Sequence, residues 1–117
     1  MRNRVTGHGS VEVDGESASF WFSVEQRTVG GRVTGWLYYR NRASGVRLWS
    51  GEFASLEISD DTATFAGTCI NHGAPCSFTV TVTESQGRDD NGTFRISISG
   101  SEMEGGPLRK GRIQIHR

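Results

Sequence analysis

Two cysteines and three histidines are the first residues to weigh for chemistry. Cys69 and Cys76 flank INHGAP, and if that segment bends a hairpin, alternation puts both on its inward side. Facing positions in such a hairpin bring Cβ atoms to about 4.5 to 5.5 Å, within reach of a disulfide. A hairpin disulfide is therefore the favoured reading, as for paired cysteines in small secreted domains. The alternative is two buried thiols behaving as small apolar groups. A metal site completed by His72 is a third reading, but structural zinc takes four protein ligands and this set supplies only three. No metal and no cofactor is expected.

Catalysis finds little to work with. His8, His72 and His116 are scattered, and no serine or cysteine sits in the glycine-flanked elbow of a hydrolase nucleophile. Glu84, Asp89, Asp90 and Asn91 gather oxygen ligands near one turn and could hold calcium. They lack the spacing of a known calcium loop, so the preferred reading is a solvated hairpin turn bent at Asn91-Gly92. No carboxylate pair is singled out by its spacing for glycoside chemistry.

The outward aromatics are the more pointed signal. Alternation places Trp21, Trp36, Tyr38 and Trp49 opposite the inward Phe20, Phe22, Leu37 and Leu48. They come from three successive strands, and cross-strand neighbours on one face are close enough to merge into a patch. Exposed aromatic patches mark interaction surfaces, and flat rings suit the apolar faces of sugars or anchor points in a protein interface. The competing expectation is that a loop such as GGPLRK covers these rings, or that copies associate through them.

The elements that must carry these residues are read from the two-residue period. TATFAGTCIN, CSFTVTVTES and TFRISISG alternate cleanly, as strands with one buried and one wet face do in an antiparallel sheet. GSVEV, SASFWFSVEQR, RVTGWLYYR, VRLWSGE and a short SLEI precede them, SEMEGGPLRK reads as an irregular connection, and GRIQIHR closes the chain. About nine strands without a helix to cover them need either a closed sheet or two packed sheets. The likeness of GSVEV to GRIQI predicts that the terminal strands pair and close the sheet, so the expectation is an all-β antiparallel meander forming a closed or nearly closed β-barrel, with a sandwich as the alternative.

At 117 residues the chain makes one domain, here 1–117, with 1–8 expected as a flexible start. Thirteen basic and thirteen acidic residues balance, so overall charge steers it toward neither nucleic acid nor an anionic membrane. No apolar run approaches the roughly 20 residues of a spanning helix. The start MRNRVTGHGS lacks the apolar core of a signal peptide, which leaves a cytoplasmic protein or one whose leader has been removed.

Taken in order, FWFSV, GWLYY, SLEISDDTATFAGT, INHG followed by FTVTV, TFRISI and GRIQIH resemble the post-COAP type of β-rich domain, over nearly the whole chain from Gly9 to His116. Cys69, Cys76 and the turn RDDNG depart from that pattern. The resemblance implies a module from the C-terminal end of a bacterial secreted or cell-surface protein, hence an extracellular or cell-surface location, and brings no catalytic residues. The leading expectation is a non-catalytic binding or adhesion module that holds a polysaccharide or a protein partner through its aromatic face, with homo-oligomerisation through that face as a further option and no nucleic-acid partner or membrane insertion. The alternatives are a barrel holding a small apolar ligand, for which inward Gly35, Gly67 and Ser50 would leave room, and a small-barrel enzyme using the same lumen.

Overall fold

Alternation becomes strand pairing in the computed structural model, which describes residues 3–28, 30–86 and 91–116. The described residues form β1 (Asn3–Val13), β2 (Glu16–Gln26), β3 (Val33–Asn41), β4 (Val46–Ser59), β5 (Thr62–Asn71), β6 (Ala74–Thr83), β7 (Thr93–Ile98), β8 (Glu104–Pro107) and β9 (Lys110–His116), with no helix. All pairings are antiparallel, in one sheet of order β8-β7-β6-β5-β4-β3-β2-β1-β9. Tight turns set the meander. Asp14 and Gly15 (φ 52° and 81°) and His72 and Gly73 (φ 50° and 81°) both take left-handed backbone, the geometry of a two-residue hairpin that matches strand twist.

The sheet is a strongly curled half-barrel, open rather than closed. Its curl brings β2 over β7, so that Phe20 stacks on Phe94 with centroids 4.1 Å apart, while Phe22 meets Phe65 at 5.1 Å and Tyr39 meets Phe94 at 5.7 Å. These rings, with Val5, Val24, Leu37, Leu48, Val80 and Ile113, are fully or almost fully buried. They fill the space that a lumen would need. Part of the bend comes from β4, whose register slips between Ser50 and Phe53 and again between Phe53 and Ser55. Such bulges bend and twist a strand. Gly67 opposite the bulge is obligatory, because a Cβ there would sit 2.2 Å from the Glu52 carbonyl oxygen.

Four expectations need correction. Closure fails because β8 and β9 lie at opposite edges of the sheet order; the terminal strands do pair, but that pairing adds β9 to an edge. Its register is also displaced: Gly111 to Ile115 face Gly9 to Val5, not GSVEV, since the chain approaches most closely where Gly9 meets Gly111. The flexible start is wrong for the described residues from Asn3 to His8, which belong to β1 and pair with both β2 and β9. Finally, VRLWSGE and SLEI are one bulged strand, β4, whereas the supposed irregular connection contains β8. The count of nine was reached by one split and one omission that cancel.

The open seam is bridged by a handful of polar contacts. Ser85 donates its N–H to the Ile113 carbonyl at 3.0 Å, Ile113 N–H donates to Ser85 Oγ at 2.9 Å, and Ile115 N–H donates to Glu84 Oε2 at 2.8 Å. Side chains thus replace the missing ladder at an edge that otherwise presents unpaired amides. Glu84 is thereby engaged in holding β9; Asp89 and Asp90 of the calcium reading lie outside the described residues.

Candidate binding face

The outer face of β1 to β4 is where the sequence's aromatic residues converge. Register fixes a straight row across the sheet: Arg112 of β9 faces His8 of β1, His8 faces Trp21, Trp21 faces Tyr38, Tyr38 faces Trp49 and Trp49 faces Ile70 of β5. Trp36 joins from the next row, where it faces Ser23. Trp21 and Trp36 meet edge to face with centroids 5.8 Å apart, and Tyr38 and Trp49 lie tilted at 4.4 Å. Both separations are within the range of favourable aromatic pairing. Trp21, Trp36 and Trp49 are 60%, 46% and 58% exposed and Ile70 43%, so no loop of the described chain covers them. The residues assigned by sequence to the outer face are on it.

On one side of the rings, Arg4, Thr6, His8, Trp21, Trp36 and Arg112 border a shallow groove of about 400 Å³. On the other side Arg40 and Arg47 face each other across β3 and β4, next along the strands to the Tyr38 and Trp49 pair. With Arg42 and His72 they line a cleft of about 560 Å³ at the β3–β4 turn. No carboxylate lines this cleft among the described residues, and the ion pairs described elsewhere are Arg27 with Glu25 and Arg109 with Glu12. Although the chain is neutral overall, the β3–β4 end of this face is locally basic, whereas toward β1 and β2 Glu25 stands opposite Arg4.

The turn that carries the arginines is braced. Buried Asn41 accepts the N–H groups of Ala43 and Ser44 through Oδ1 at 3.0 and 3.4 Å, while its Nδ2 donates to Glu104 at 3.1 Å. Asn71 Oδ1 accepts from Arg47 N–H at 3.1 Å, and the His72 ring donates from Nε2 to the Gly45 carbonyl. His72 therefore serves the turn, and no group of three or more His, Cys, Asp or Glu side chains gathers for a metal among the described residues. Cys69 and Cys76 are directly opposed and joined, with Sγ atoms 2.08 Å apart and Cα atoms 4.8 Å apart.

Sequence reading missed the basic cleft, although its signal was present. The alternation that turns Tyr38 and Trp49 outward does the same to Arg40 and Arg47, and YRNRASGVRLW folds them together through a short turn. No family model, curated protein or solved structure matches this chain.

Proposed function

We propose that this chain is a non-catalytic binding module that holds a polysaccharide on the outer aromatic face of β1 to β4. The observation that carries the reading is the in-register placement of Trp21, Tyr38 and Trp49, with Trp36 beside them, on one sheet, as three exposed indoles around the half-buried Tyr38 ring. Cross-strand pairing holds such rings in place before any ligand arrives, so little ordering entropy is lost on binding. An apolar ligand inside the sheet is disfavoured by the stacked phenylalanines that fill it. An extracellular or cell-surface location, and kinship with post-COAP domains, belong to this proposal; the Cys69–Cys76 bond is compatible with an oxidising compartment.

A polysaccharide array probed with the wild type and with the Trp36→Ala/Trp49→Ala double variant tests it. Because the inward core is untouched, the variant should melt within about 1 kcal/mol of the parent, yet lose binding, at about 2 kcal/mol or more for each ring that acts as an anchor. A loss of about 3 to 5 kcal/mol of stability per site would identify the rings as core instead.

A further inference from the structure

We infer that the ligand held by this face is an anionic polysaccharide, one bearing carboxylate or sulfate groups, and that the Arg40, Arg42 and Arg47 cleft seats one of those groups. The inference rests on the proposed aromatic platform and adds the chemistry of what lies on it. Guanidinium groups bind carboxylate and sulfate-like oxyanions through paired, charge-assisted hydrogen bonds. Two arginines directly opposed across a ladder repel each other, and here no carboxylate lines the cleft to neutralise them. Nor is the cleft a loose gathering of long side chains. Asn41, Asn71 and His72 fix the backbone of the turn that presents them.

The distribution of charge favours a saccharide over a nucleic acid. Arg47 and Arg40 open the row beside the aromatic one, which runs through Ser19 and Ser10 to Lys110 of β9, four interstrand steps from Arg47, or about 19 Å; Arg112 ends the aromatic row next to Lys110. Between them the sheet offers rings and the hydroxyls of Ser10, Ser19 and Ser23. A single nucleic-acid strand carries a phosphate at every residue and is tracked by a continuous basic groove. A polymer with sparser acid groups and many hydroxyls matches cations at the ends and neutral hydrogen-bonding groups between them.

Binding is measured by affinity electrophoresis and calorimetry for a galactan sulfated on alternate residues (κ-carrageenan), a polymer with a carboxylate on alternate residues (hyaluronan), a neutral glucan and oligo-dT, with wild type, Arg40→Gln/Arg47→Gln and Trp36→Ala/Trp49→Ala. Melting curves check that each variant is folded. The expected result is tighter binding to one of the acidic polymers than to the glucan, weakening with salt as exposed charge contacts do, and reduced at least about tenfold in the arginine variant. κ-Carrageenan against hyaluronan tells sulfate from carboxylate. Binding of the neutral glucan alone, unaffected in the arginine variant, overturns the anionic ligand and leaves the platform standing. Acidic binding that survives loss of the tryptophans overturns both, as does absence of binding to any polymer, and preference for oligo-dT replaces the saccharide with a nucleic acid.

Discussion

The phenol of Tyr39 donates a hydrogen bond to Glu104 Oε1 at 2.5 Å, tying the middle of the sheet to its β8 edge. Asn41, the buried polar residue of the core, donates to the same oxygen at 3.1 Å. This pair of donors draws the β8 edge over β3. Tyr39→Phe keeps the ring stack on Phe94 but removes one donor from a partly buried carboxylate, so it should cost about 1 to 3 kcal/mol in urea unfolding. A change below about 0.3 kcal/mol would mean that the edge is held by apolar packing alone.

The same contact predicts an alkaline limb. Burial, and then the hydrogen bond to Glu104, push the Tyr39 phenol well above its ordinary range. The folded state keeps a proton that the unfolded chain gives up, so this contribution is complete below the ordinary phenol value of about 10 and is lost as pH rises beyond it. Stability measured between pH 9 and 11.5 should fall less steeply in Tyr39→Phe than in the parent. Parallel slopes would contradict the assignment.

Reduction of the Cys69–Cys76 bond removes a constraint on a short loop whose two cysteines are separated by 7 in sequence. Chain-entropy arguments give such a bond about 2 to 3 kcal/mol. Intact mass after alkylation without reductant should show no labelled thiol, and the reduced protein should remain folded with a lower midpoint. Two labelled thiols in unreduced protein from an oxidising host would exclude the bond.

Gly111 tests the edge pairing. Its φ is 106°, and a Cβ there would lie 2.0 Å from the His8 carbonyl oxygen. Gly111→Ala should therefore cost about 3 kcal/mol, through backbone strain and lost pairing. Hydrogen exchange should rise first at Arg112 and Gln114, whose amides point toward β1 beside Gly111, because those of Ile113 and Ile115 point to Ser85 and Glu84 and amides alternate sides along a strand. Wild-type protection in this variant would show that β9 does not depend on the close approach.

Much of this was legible because a two-residue period reports a face directly. Alternation turns Phe65, Val80, Phe94 and Ile96 inward, where they are buried, and Trp21, Trp36 and Trp49 outward, where they are exposed. What failed was whatever depends on where strands end up. The period is interrupted at the β4 bulges, so one strand read as two, and EGGP of β8 has almost no side chains with which to show alternation. Open against closed could not be read from GSVEV and GRIQI, because pairing of two strands does not say whether their far edges meet. The basic cleft was overlooked for a different reason: the balanced net charge of the chain averages away a local excess of arginine.

The central claim is that the outer aromatic face is the contact surface, and the chain's own chromophores report on it. Its three tryptophans, Trp21, Trp36 and Trp49, all lie on that face. Acrylamide quenching of tryptophan emission, recorded while an acidic polysaccharide is titrated in, therefore measures cover of the face without a label. Emission should be easily quenched and red-shifted in the free protein, followed by a blue shift and protection that saturate together with binding. Saturable binding of the polymer, with emission and quenching unchanged, would place the ligand elsewhere and contradict that claim.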